Sequence, residues 1–235
     1  MQVVGMYGYV DKCDAVMSIA RVMNIMDKSI LVIDATLDDK YKYIVPAISN
    51  DEKYITQYSE IDFAVGFKSY SELSEYLTEK NIDLERYSYV FIDIETAEKY
   101  EKFVELAVNK SYMFISTNVL SVNKTGELVK KMRELNEDKM LEFSKVLYRA
   151  YISRASNTYM ESKINEYNIN WSSEVYDISI DEQDTMASID SQFSGLIDVR
   201  KHTKAYIYMI SEFVAKLLGD ENSKEIMKQI KRRKN

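Results

Sequence analysis

Short apolar runs alternating with stretches of helical periodicity are what most restrict the folds open to this chain. The runs fall at residues 2–7, 29–33, 63–66, 89–94, 112–116, 145–148 and 175–180, and several are apolar at consecutive positions. A strand of that kind must be buried on both faces, as parallel strands are inside a sheet covered by helices. Between the runs, Ala15, Val16, Ile19, Ala20, Met23 and Met26 recur at helical spacing, as do Leu73, Tyr76 and Leu77, then Phe103, Leu106 and Ala107. The alternation predicts an α/β fold, a mainly parallel twisted sheet of about seven or eight strands with helices on both faces. Helices over 185–193 and 202–218 and a short helical tail over 224–235 close the chain.

The 235 residues contain six glycines and one proline, Pro46, so no linker separates two halves. We therefore expect one domain over 1–219 and a basic tail over 220–235. A net charge of -7 argues against a surface that binds DNA broadly, because phosphate neutralisation needs clustered Lys and Arg. The single cysteine excludes an intrachain disulfide, and without a Cys/His cluster a structural zinc site has no ligands. No signal segment and no long apolar run is visible, which predicts a cytoplasmic protein.

The amino-terminal residues suggest a specific chemistry. Val3-Val4-Gly5-Met6-Tyr7-Gly8-Tyr9-Val10-Asp11-Lys12-Cys13-Asp14 runs from an apolar strand into an amphipathic helix, and Ser29–Asp34 supplies a second strand ending in a carboxylate. A phosphate-binding loop aims consecutive backbone N–H groups and a helix N-terminus at the anion, with a lysine for the outer phosphates and a hydroxyl on Mg²⁺. Lys12 stands where that lysine would, and Gly8, four residues earlier, would let backbone approach a ligand. Asp11, however, places a negative charge beside the lysine, and the Cys13 thiol is too soft for a hard cation. Asp34 and Asp93 both end apolar strands, where α/β sheets build their sites.

Laid on the motif KGGxGKT[ST], residues 7–14 resemble the loop of the MinD/ParA family of P-loop proteins with a deviant Walker A motif. Gly8 and Lys12 match; Tyr7 stands at the signature lysine that reaches into the partner's nucleotide, and Cys13 at the Mg²⁺-binding hydroxyl. Leu31-Val32-Ile33-Asp34-Ala35-Thr36 looks like the family's strand ending in Asp-x-Asp, with Thr36 at the second carboxylate and Asp38 within reach of the same space. Tyr87-Ser88-Tyr89-Val90-Phe91-Ile92-Asp93-Ile94-Glu95 resembles the Walker B strand. The resemblance implies ATP and Mg²⁺ as cofactors and Gly8, Tyr9, Val10, Asp11, Lys12, Cys13 and Asp14 as the nucleotide-binding loop. It also implies Asp93 as outer-shell Mg²⁺ ligand, Asp34 and Asp38 as catalytic carboxylates if the site is active, and a homodimer. Residues 145–149 occupy the adenine-contact position without the family's Asn, so base recognition is unassigned.

With so many positions altered, the reading favours a pseudo-ATPase or weak nucleotide binder. Its role would be to scaffold the localisation or assembly of a cell-envelope machine such as a pilus or secretion system, similar to the TadZ/CpaE branch. The alternative is a slow Mg²⁺-dependent ATPase in positioning or DNA partitioning. In the tail, Lys224, Lys228, Lys231, Arg232, Arg233 and Lys234 accompany Ile226, Met227 and Ile230, a pattern suited to the anionic inner face of a membrane. So few apolar residues bury little area, and a frayed, solvated tail is the preferred expectation.

Overall fold

The computed structural model describes residues 1–47, 51–137, 140–149, 154–179, 181–219 and 222–233. In chain order these form β1 (Gln2–Tyr7), α1 (Cys13–Ile25), β2 (Ile30–Ala35), β3 (Tyr54–Tyr58), β4 (Ile61–Val65), α2 (Tyr70–Glu79), β5 (Tyr89–Ile94) and α3 (Ala97–Phe103). There follow β6 (Lys110–Ile115), α4 (Val119–Leu135), β7 (Glu142–Tyr148), α5 (Arg154–Asn165), β8 (Asn170–Ile178), α6 (Glu182–Ser194), α7 (Lys204–Leu217) and α8 (Ser223–Arg232). One 8-stranded sheet runs in the order β3-β4-β2-β5-β1-β6-β7-β8. Every pairing is parallel except β3 with β4. This is the α/β architecture that the apolar runs predict.

Consecutive apolar residues in β1, β2 and β5 feed opposite faces of the sheet. On one face Val4, Met6, Val32, Phe91 and Phe114 pack under Val16, Ile19 and Met23 of α1 and Ile210 and Phe213 of α7. On the other, Val3, Leu31, Ile33, Val90, Ile92 and Met113 meet Leu73 of α2, Phe103 of α3, Val122 and Val129 of α4, and Ile164 of α5. Both faces are covered, which is why alternation of polar and apolar residues is lost in the central strands.

The structure differs from the expected elements in four places. β3 is additional: its inner Tyr54, Thr56 and Tyr58 alternate with half-exposed Ile55 and exposed Gln57, as suits an edge strand. It joins β4 through Ser59 and Glu60, both left-handed (φ 50 and 62), a hairpin turn made without the usual Asn-Gly signal. α3 ends at Phe103, so Leu106 and Ala107 of the expected helical spacing lie beyond it; Thr96 accepts a hydrogen bond from Lys99 N–H and fixes the start six residues earlier. α5 was not expected, and it buries Met160 and Ile164. Finally, residues 223–232 are not frayed: α8 buries Ile226 and Ile230 in the same core as α1 and α7. Ile180, Lys234 and Asn235 of the predicted elements lie outside the described residues.

Candidate functional site

The loop between β1 and α1 leaves the carboxyl edge of the sheet beside β5 and β6. Gly8 has φ 125, and a Cβ there would overlap the Phe114 carbonyl oxygen, so only glycine fits. Its N–H donates to Ile94 O at 3.1 Å, and Val10 N–H donates back to Gly8 O at 2.9 Å. Tyr9 N–H donates to Thr125 Oγ1 at 3.1 Å, and Ser121 Oγ donates to Tyr9 O at 2.6 Å. The last two bonds tie the loop to α4, and together the four occupy three amide donors, those of Gly8, Tyr9 and Val10, that an anion-binding loop would aim at a ligand. Asp14, in the first turn of α1, accepts from Ala15 N–H at 2.8 Å and from the Tyr148 hydroxyl and Arg149 guanidinium. A carboxylate of the chain itself thus lies at the positive end of the helix dipole.

Beneath the loop is a fully buried polar cluster. Lys12 Nζ, 0% exposed, lies 2.6 Å from Asp93 Oδ1 and donates to Gly8 O at 2.9 Å. Asp93 Oδ2 accepts from the Tyr41 hydroxyl at 2.9 Å. β2 and β5 pair in the register Asp34↔Asp93, which brings the two carboxylates side by side. Asp34 Oδ1 accepts from Thr36 N–H (3.1 Å) and Thr36 Oγ1 (2.6 Å), and Oδ2 accepts from Tyr41 N–H (3.0 Å). Tyr41, in the 3₁₀ turn Lys40–Tyr43, therefore bridges both carboxylates with its backbone and its hydroxyl. Burial pushes the Asp34 carboxyl up to about 7, the bonds from Thr36 opposing it and the neighbouring Asp93 and Asp39 adding to it. Burial also raises Asp93, against the pull of Lys12. The Cys13 thiol is raised first by burial and then by Asp93, Asp11 and Asp34, which holds it as a neutral thiol and not a thiolate nucleophile.

Above this cluster a cavity of about 340 Å³ opens to solvent, lined in part by Tyr9, Val10, Asp11, Asp38, Lys40 and Glu95. Lys40 Nζ sits 2.6 Å from Glu95 Oε1 and 3.7 Å from Asp11 Oδ1. Glu95 also accepts from Leu37 N–H at 3.1 Å. Asp11, Asp38 and Glu95 thus face a single ammonium, and Lys12 is not in the wall.

The sequence-predicted residues consequently separate into three groups. Lys12, Asp34 and Asp93 meet in the buried cluster; Tyr9, Val10, Asp11 and Asp38 line the cavity; Asp14 is turned to Tyr148 and Arg149. Tyr41, Lys40 and Arg149 went unassigned in the sequence, since no motif or periodicity marks them and their partners are 52, 55 and 135 residues away. Tyr7 is buried at 3% exposure, its ring folded back over Gly5 and edge-on to Tyr100 and Phe143.

These residues do not fit a bound Mg²⁺–triphosphate. The lysine is neutralised by the carboxylate that would serve the metal, and the charged groups in the cavity wall are three carboxylates against one ammonium. Among the described residues no three His, Cys, Asp or Glu side chains are grouped to hold a metal ion. A larger cavity of about 680 Å³ lies at the opposite, amino edge of the sheet near Asn109, Lys110 and Glu142. Polar groups in its wall are engaged with one another, Asn136 with Tyr100 and Ser144 with Ser172.

No protein-family model matches the chain, and no curated protein matches it in sequence. Solved structures do match in fold. The MinC:MinD cell division protein complex of Aquifex aeolicus gives a TM-score of 0.62 at 12% identity over 94% of this chain and 98% of that one. The ATP complex of McdA from Cyanothece gives 0.57 at 13% identity over 94% and 98%. A plasmid partition protein of Borrelia burgdorferi bound to AMPPNP gives 0.55 at 13% identity over 92% and 97%. At such identities the likeness is one of architecture. The chain has the MinD/ParA P-loop fold.

Proposed function

We propose that this protein is a pseudo-ATPase of the MinD/ParA fold, closed to nucleotide from within, that serves as a localisation or assembly scaffold. The finer assignment, to a cell-envelope machine such as a pilus or secretion system in the manner of the TadZ/CpaE branch, rests on the resemblance of residues 7–14, 31–36 and 87–95.

The buried Lys12–Asp93 pair carries this reading. To reach a phosphate, Lys12 would have to leave Asp93 uncompensated in a dry site, at a cost of about 3–5 kcal/mol. The Asp11, Asp38 and Glu95 carboxylates in the cavity wall add repulsion where phosphate would lie. McdA and the Borrelia protein are seen with ATP and AMPPNP, whereas here Asp93 is ion-paired with Lys12 and accepts from the Tyr41 hydroxyl. The MinC:MinD complex supports a role exercised through protein partners. A homodimer remains part of the proposal, but its interface cannot draw on position 7, since Tyr7 points into the core. Membrane contact through α8 would have to use its Lys and Arg side, because Ile226 and Ile230 are committed to the core.

One observation favours the second reading, a slow ATPase: Asp38 is exposed and lines the cavity. A ligand at a hundred times its Kd stabilises the folded state by about 2.7 kcal/mol. We therefore expect no rise in the thermal midpoint with millimolar ATP and Mg²⁺. Mg²⁺-dependent hydrolysis that disappears in Asp38→Asn, an exposed position whose replacement leaves the fold intact, would establish the ATPase instead.

A further inference from the structure

Helix α6 is amphipathic in the wrong sense. The side it turns to the body carries Asp184, Ala187, Ser188 and Ser191, all buried, whereas Met186, Ile189 and Phe193 face solvent at 61%, 47% and 88% exposure. Their i, i+3, i+7 spacing makes one continuous stripe. Polar contacts seat the helix: Asp184 accepts from Thr203 N–H at 2.6 Å and Thr203 Oγ1 at 2.9 Å, and the Tyr58 hydroxyl donates to Ser191 O at 2.6 Å. A helix that buries small and polar residues while displaying Met, Ile and Phe has its apolar face reserved for something outside the chain.

Charge around the stripe selects the occupant. Exposed Asp181 and Glu182 lie at its amino end and Asp190 along its edge, with Lys201 Nζ 3.9 Å from Asp190 as the nearby cation. The rim is acidic on balance. Two copies of it would repel each other, and an anionic lipid surface would be repelled as well. A helix with basic residues flanking an apolar face is complementary to it.

We propose that the Met186–Ile189–Phe193 face of α6 is a docking surface for an amphipathic, basic helix of a partner protein. It goes with the scaffold reading and names the partner-facing surface, but its geometry does not depend on the state of the nucleotide site.

The test uses the full chain and a fluorescent helical peptide with Leu at i, i+3 and i+7 flanked by Lys, alongside a control with Glu in place of Lys. The chain should bind the Lys peptide at least about tenfold more tightly than the Glu peptide, a difference of about 1.4 kcal/mol. Met186→Ser with Phe193→Ser should weaken Lys-peptide binding at least about tenfold with an unchanged melting midpoint, since both side chains are solvent-exposed. Equal binding by wild type and variant overturns the proposal. So does self-association in sedimentation that the variant abolishes, or wild-type pelleting with phosphatidylglycerol vesicles that the variant abolishes, because the occupant is then a second copy or lipid. An ATP-induced rise in midpoint would refute the closed nucleotide site and leave the peptide result standing.

Discussion

Lys12 makes a different prediction as a buried ion partner than as a phosphate ligand. With Asp93 at 2.6 Å and both groups fully buried, Lys12→Met strands a carboxylate in the core and should cost about 3–5 kcal/mol in urea unfolding. Adding Asp93→Leu removes the stranded charge and should recover part of that loss. A lysine waiting for phosphate at a surface would change stability by only about 0.5 kcal/mol. Gly5 and Tyr7 are coupled in a similar local way. A Cβ on Gly5 would strike the Tyr7 ring, so Gly5→Ala should cost about 1–3 kcal/mol. In the Tyr7→Leu background the penalty should shrink, giving a double-mutant coupling of about 0.5–3 kcal/mol. Additive costs would show that the ring does not lie over Gly5.

At the scale of elements, α8 is the clearest case of context overriding local sequence. Its basic residues read as a solvated tail, yet Ile226 and Ile230, one turn apart, are buried against α1 and α7. Arg233 then donates to Asn24 O and Ile25 O, each at 3.2 Å, at the end of α1, which has no basic residue in its own last turn. Ile226→Ala and Ile230→Ala should each cost about 2–5 kcal/mol by chemical denaturation. Truncation after Gly219 should cost more than either; a truncated chain as stable as the full one would show that α8 contributes nothing to the core. β3 was hidden for the opposite reason. It is an edge strand with one exposed side, and its turn uses Ser59 and Glu60 in a conformation that their identities do not announce.

For the whole molecule, the buried carboxylates set a pH dependence. The Asp34 pKa of about 7 is above the ordinary aspartate value of about 3.9 expected in the unfolded chain. Between those values the folded state holds a proton that the unfolded state has released. Its contribution to stability is therefore complete below about pH 4 and is lost as pH rises to about 7, beyond which it no longer varies. Melting curves across that range should show wild type losing stability relative to Asp34→Asn as pH increases. A constant difference between the two proteins would mean that Asp34 keeps its charge in the fold.

The sequence determined the sheet. Runs too apolar for one-sided strands, alternating with helical periods, require a parallel sheet covered on both faces, and strand ends at Asp34 and Asp93 place two carboxylates at its carboxyl edge. Motif positions also made the losses at Asp11 and Cys13 readable, because charge and ligand hardness are properties of the residue type. What no linear reading supplies is the partner of each group. Lys12 meets Asp93 across 81 positions of chain, Tyr41 bridges two carboxylates from a turn without periodicity, and α6 shows its apolar side to water. A residue type fixes which interactions a side chain can make; burial and distance, which exist only once the chain has folded, decide which of them it does make.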